Sequence, residues 1–142
     1  MATVRQLLEE KERAVHSIAP DEPVLAAIQL MADKGIGAVL VMRGNELAGI
    51  LSERDYARKV ILMGRSSAET PVWEIMSAPV TTVTPGDTIN TCMLLMTERK
   101  IRHLPVVEGA RVVGVLSIGD LVKHVIAEQE REIAQLQQYI AS

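Results

Sequence analysis

A chain of 142 residues with 48% hydrophobic side chains has the material for one compact domain, or for two small halves that share a core. Aromatic residues make up only 2% of it, so the core must be aliphatic, and the stacking platforms that single-stranded nucleic acids use are missing. A formal net charge of −3 supplies no global positive field for duplex binding, which leaves nucleic acid a poor candidate partner.

The N-terminal stretch MATVRQLLEEKE has no apolar h-region, and no apolar run approaches the roughly 18 residues needed to cross a bilayer. The expectation is a soluble, cytoplasmic protein with no membrane partner. From residue 15 the chain begins a pattern that recurs. Displaced by 65 positions, residues 15–61 align with 80–126 without a gap, giving 13 identical pairs in 47 positions. Chance at ordinary residue frequencies would give about three. The pairs include Pro20/Pro85, Met31/Met96, Gly44/Gly109, Gly49/Gly114, Ser52/Ser117 and Asp55/Asp120. The chain is an internal duplication, and its elements are best read two at a time.

Each copy opens on a short extended piece that ends in proline, VHSIAP or VTTVTP. The next segment predicts a helix, with Val24, Ala27, Ile28 and Met31 on one face of the first copy, and Ile89, Cys92, Met93 and Met96 in the second. A fully apolar run follows (38–42 or 104–107), too short for a helix and read as a buried strand. Gly44 and Gly109 suit a turn that needs positive φ, and the chain returns in a second strand, 47–51 or 112–116. A second helix begins at Ser52 or Ser117, so each copy has the order β-α-β-β-α. The polar connector 64–71 separates the copies. Thr70-Pro71 reads as an N-cap and first helical residue for a short helix over 72–76, and residues 4–8 look like its counterpart before the first copy.

The repeated β-α-β-β-α unit, the apolar-Pro-Val strand of the second copy, and the Gly-x-x-Ser-x-x-Asp endings at Asp55 and Asp120 resemble the CBS (cystathionine-β-synthase) domain family. Two such repeats form a Bateman module, here similar to a stand-alone bacterial-type signal-transduction protein. The resemblance implies an α+β fold of two pseudo-symmetric repeats packed sheet to sheet around one shared core. Repeat one is placed at 4–64, repeat two at 70–127, and a C-terminal helical extension at 128–142. It leaves no room for a separate catalytic domain.

Ser52-x-x-Asp55 and Ser117-x-x-Asp120 have the spacing of a helix cap, with the serine accepting from a backbone N–H and the acid returning the favour. They also suit a nucleotide: a carboxylate can accept from ribose hydroxyls, while a serine and free N–H groups at a helix start meet phosphate. The family resemblance implies that the aspartate engages ribose, and that the entry strand of the other repeat carries the adenine. Thr81, Thr82 and Val83 would then complete the site of Ser52, Arg54, Asp55, Arg58 and Lys59. His16, Ser17 and Ile18 would complete the site of Ser117, Gly119 and Asp120, with Gly37, Ala38, Arg102 and His103 as pre-strand residues lining the cleft. The ligand class implied is an adenine nucleotide (AMP, ADP, ATP or NAD(H)), with S-adenosylmethionine behind these. The more basic set around Asp55 marks that cleft as the more phosphate-demanding.

Cys92 is the single cysteine and reads as a small buried hydrophobe. His16, His103 and His124 form no metal-ligand spacing, and nucleophile elbows, a Walker loop and a Rossmann fingerprint are absent. No catalytic residue or catalytic cofactor is expected. Past the second copy, Ile126, Gln129, Ile133, Leu136 and Ile140 fall at 3-4 spacing, a stripe that packs either on its own chain or on a second copy. The sequence therefore supports a nucleotide-sensing regulatory module, homodimeric and acting on an unidentified effector protein. The alternative is a dimerisation scaffold with vestigial clefts.

Overall fold

The computed structural model describes residues 2–11 and 14–141. Ser142, the last residue of the expected extension, lies outside them. Helix α1 (Val4–Glu10) opens the first repeat, which continues with β1 (Ser17–Ile18), α2 (Val24–Lys34), β2 (Ala38–Arg43), β3 (Glu46–Ser52) and α3 (Glu53–Tyr56). A π-type turn over Ala57–Ile61 continues α3, and a single 3₁₀ turn, Val72–Glu74, opens the second half. The second repeat runs α4 (Ile89–Arg99), β4 (His103–Glu108), β5 (Arg111–Ser117) and α5 (Ile118–Ala141). Its entry segment makes only a one-residue parallel bridge, Val83 to Val106, where the first repeat has β1 parallel to β2.

The duplication extends to detail. Both hairpins are antiparallel, and each has a register shift after the same valine, at Val41/Met42 and Val106/Val107. Both turn through a glycine with φ near 62–64°, at Gly44 and Gly109. Along β3 and β5, Gly49, Leu51, Gly114 and Leu116 face the core of their own repeat, while Ile50 and Val115 are half-buried on the opposite face. That second face is the one each sheet turns toward the other repeat: Ile50 and Val115 line a common cavity between them. The helices bury the faces their spacing predicts, Val24, Ala27 and Met31 on α2 and Ile89, Cys92 and Met96 on α4. Burial and the nearby Asp87 charge push the Cys92 thiol up to about 11, as expected of a packed, unreactive group.

The interior differs from the single shared core expected. Among the described residues it consists of two clusters, and each receives the opening segment of the other repeat. Val4, Leu7 and Leu8 of α1 pack with Val83, Ile89, Leu104 and Leu116 of the second repeat. Val72 and Ile75 pack with Val24, Val39 and Leu51 of the first. Backbone hydrogen bonds fasten both crossings: Val4 N to Asp87 O at 2.8 Å, and Val72 N to Glu22 O at 2.9 Å. Gly49 and Gly114 make room for them. A Cβ at Gly114 would stand 2.6 Å from Leu8 Cδ2, and one at Gly49 would stand 2.5 Å from Met76 Sδ. Thr70 does not cap the turn at 72. Its hydroxyl donates to Ser66 O at 2.6 Å, closing the connector on itself.

Candidate functional site

The strand-to-helix junctions of the two repeats form full reciprocal caps. Asp55 N donates to Ser52 Oγ at 3.1 Å, and Asp55 Oδ2 accepts from Ser52 N and Ser52 Oγ, each at 3.0 Å. In the second repeat, Asp120 N donates to Ser117 Oγ at 3.2 Å, and Asp120 Oδ2 accepts from Ser117 N at 2.8 Å. The first helical N–H is held by the loop before the preceding hairpin, Glu53 N to Gly37 O at 3.0 Å and Ile118 N to Arg102 O at 2.8 Å. These bonds fix the carboxylates rigidly at the start of each helix.

Each junction opens on a cavity closed by the other repeat. The first, about 330 Å³, is lined by Ser52, Glu53, Arg54, Asp55 and Arg58 of repeat one. Its opposite wall is Ser77 and Pro79 to Thr81 of the entry segment, with the pre-strand residues Lys100 to His103 of repeat two. The second, about 400 Å³, joins Ser117 and Asp120 to Lys11, Ala14 and His16, and to the pre-strand residues Lys34 to Ala38. Gly37, Ile50 and His103 line both, so the two cavities meet at a thin common wall.

Of the residues expected at the Asp55 cleft, Ser52, Arg54, Asp55, Arg58 and Thr81 line the cavity. Lys59 stands behind the carboxylate instead, its Nζ 3.2 Å from Asp55 Oδ1 and 2.9 Å from Ile75 O. Val83 is taken by the core, and Thr82 faces a separate surface groove. Of those expected at the Asp120 cleft, Ser117, Asp120, His16, Gly37, Ala38 and His103 line the second cavity. Ile18 packs on the first core, Ser17 faces another groove, and Gly119 is exposed outside the cavity. Arg102 lines the Asp55 cavity and not the Asp120 one, because the pre-strand loop of each repeat reaches across to the helix start of the other.

Three groups that the duplication did not single out stand in these walls. Lys100 takes the left-handed conformation (φ 56°) of its counterpart Gly35 and projects at the rim of the first cavity. Ser77 Oγ donates to Asp55 Oδ1 at 3.2 Å. Lys11 Nζ lies 2.6 Å from Asp120 Oδ2 and 2.7 Å from Val115 O. The residue aligned with Lys100 is a glycine, and the copies do not align before residue 15, so only the folded chain brings these groups to the clefts.

The electrostatics are predominantly positive around each acid. Arg54, Arg58, Lys100 and Arg102 surround the first cavity with Glu53 and Asp55, whereas Lys11 and Lys34 accompany Asp120 in the second. Burial raises the Asp120 carboxyl, and hydrogen bonds from Lys11 and Ser117 outweigh it, leaving the group below the usual carboxylate range. His103 is pushed below its ordinary value, first by burial and then by the Lys11 charge. Among the described residues no group of three or more His, Cys, Asp or Glu could hold a metal ion, and no helix is long and apolar enough to cross a membrane.

Comparison with known proteins agrees with this architecture. A CBS-domain protein from Burkholderia ambifaria has a structure 52% identical in sequence, covering 90% of this chain and 96% of its own, with a TM-score of 0.87. The mitochondrial CBS domain-containing protein CBSX3 of Arabidopsis thaliana is 42% identical over 125 residues; the match takes in 84% of this chain and 61% of that longer protein. A CBS domain protein of Pyrobaculum aerophilum, PAE2072, solved in complex with AMP, shares the fold at a TM-score of 0.74 and 24% identity, over 83% of this chain and 88% of its own. The CBS domain model matches twice, at residues 4–61 and 72–127, and the chain belongs to the CBS domain family as a tandem pair.

Proposed function

We propose that this chain is a regulatory, non-catalytic module that binds adenosine-containing nucleotides in the two clefts between its repeats and signals through conformation or assembly. One observation carries the reading: each duplicated helix start aims an anchored aspartate into a cavity whose far wall, with its cations, comes from the opposite repeat. Vicinal ribose hydroxyls offer two donors to a carboxylate, and arginines offer forked donors to phosphate. The cavities are at the lower end of the range for small-molecule sites, which suits a nucleoside-sized ligand. The AMP complex of PAE2072 supports adenine nucleotides as the ligand class. The cations of the Asp55 cleft favour AMP, ADP, ATP or NAD(H) over S-adenosylmethionine. A ligand held by both repeats is well placed to alter their relative packing, and through it an effector protein in the cytoplasm.

A panel of adenosine and guanine compounds in a thermal-shift experiment tests this reading. A ligand at about 100 times its dissociation constant stabilises the fold by roughly 2.7 kcal/mol, a shift of several degrees for a chain of this size. The expected result is a shift with AMP, ATP or NAD(H) and little with guanine nucleotides. The absence of any shift with adenosine compounds into the millimolar range would leave the scaffold reading, which the exposed stripe of α5 favours independently.

A further inference from the structure

The two clefts are copies, but their aspartates have unlike neighbours. Asp55 receives Ser77 from the opposite wall, and its lysine partner, Lys59, comes from the next turn of its own helix and lies outside the cavity. Asp120 instead receives Lys11, a residue just past α1 that stands within the cavity wall. The ammonium approaches Asp120 Oδ2 at 2.6 Å, and that oxygen already accepts from Ser117 N at 2.8 Å. Val115 O holds the same ammonium from the other side at 2.7 Å. A ribose hydroxyl seeking this oxygen meets a donor already in place.

We propose that Lys11 is a tethered competitor for the Asp120 carboxylate, so that a nucleotide fills the Asp55 cleft first and enters the second only by displacing the ammonium. This rests on the nucleotide reading above and adds an order of filling to it. The pair is built to be displaced as well as to compete. Its side chains are 35% and 25% exposed, and at that exposure an ion pair is weak and exchanges readily with solvent. At the first cleft the donors on Asp55 Oδ1 are the Ser77 hydroxyl and the Lys59 ammonium, each at the longer distance of 3.2 Å, and the cavity presents two arginines from its own helix start together with Lys100 and Arg102 of the other repeat.

The test is calorimetric titration with AMP of the full-length chain in two backgrounds. Asp55→Ala leaves the second cleft to be read, and Asp120→Ala leaves the first. Adding Lys11→Met to the Asp55→Ala chain is expected to raise AMP affinity by about two- to fivefold, the scale of one partly exposed ion pair removed. Lys11→Arg, which keeps the cation, is expected to hold the affinity low. In the Asp120→Ala chain, Lys11→Met is expected to leave AMP affinity where it was. A loss of packing lowers affinity, so a purely structural role for Lys11 does not imitate the expected gain. An unchanged or reduced affinity in Lys11→Met overturns the proposal, the reduced value marking Lys11 as a phosphate ligand. If wild-type protein binds none of AMP, ATP and NAD(H), the nucleotide reading fails and this inference with it, an outcome distinct from wild-type binding that Lys11 does not modulate.

Discussion

Asp55 and Asp120 each do two jobs in this reading, and a single substitution separates them. The capping bonds are formed within each repeat by its own backbone, so Asp55→Ala and Asp120→Ala are each expected to cost about 1 kcal/mol of stability. A ribose contact adds a second effect, a ten- to hundred-fold loss of affinity at the mutated cleft, from about 1.5–3 kcal/mol of charge-assisted hydrogen bonding. Melting curves with calorimetry on each variant measure both quantities. A stability loss with unchanged affinity in both variants would place any nucleotide site elsewhere. His103 supplies a pH signature at the wall common to the clefts. Burial and the charges of Lys11 and Arg102 lower its pKa, while Asp120 and Glu53 act against them. A base whose folded pKa lies below its ordinary 6.5 favours the neutral ring, so its contribution is complete above about pH 6.5 and is lost as pH falls through the folded value. The melting temperature is therefore expected to fall between pH 7 and pH 5, with a shallower slope in His103→Gln. Equal slopes would show that His103 carries none of the pH dependence.

At the scale of elements, the local signals were readable and the pairings between repeats were not. The 3-4 spacing of Val24, Ala27 and Met31 states a helix face whatever lies opposite, and a glycine between two apolar runs states a turn. Ser-x-x-Asp at a strand end states a cap, and its presence in both copies points to a role beyond capping. Nothing in VRQLL or VWEIM says which repeat will receive it, because an amphipathic segment fits any apolar groove of the right size. The tertiary fold crosses the two, and thereby sends the pre-strand loops, with Arg102 and Lys100, to the opposite helix start. The crossing makes a specific demand on α1. Leu8 is buried against Gly114 and the second core, distant from it in sequence. Leu8→Ala is expected to cost about 2–5 kcal/mol, as for buried leucines generally. Hydrogen exchange should show the loss of protection in α4 and β5 before α2 and β2. Loss confined to the first repeat would contradict the crossed packing.

At the scale of the molecule, α5 is the feature the repeats do not explain. It runs 24 residues without a break, about 36 Å at the usual rise, and residues 129–141 are all exposed. Ile126, Ile133, Leu136 and Ile140 are 50–82% exposed, so the stripe has not found a partner within its own chain. A repeated apolar stripe on an exposed, otherwise polar helix is the pattern of helix-to-helix association, and such a surface is costly to leave in water. A homodimer in which α5 contributes to the interface accounts for it, and a ligand acting on the repeats would then have a lever on assembly. Truncation after Glu128 removes Ile133, Leu136 and Ile140 while sparing Leu121, the residue of α5 that is buried in the second core. The expected result is a weaker dimer or a lower melting temperature, with the remaining repeats still folded. Light scattering across a concentration series, on the full chain and the truncated one, measures this directly. A full-length chain that stays monomeric at tens of micromolar would rule out the intermolecular role of the stripe. A dimer of unchanged strength after truncation would assign the interface to the repeats alone.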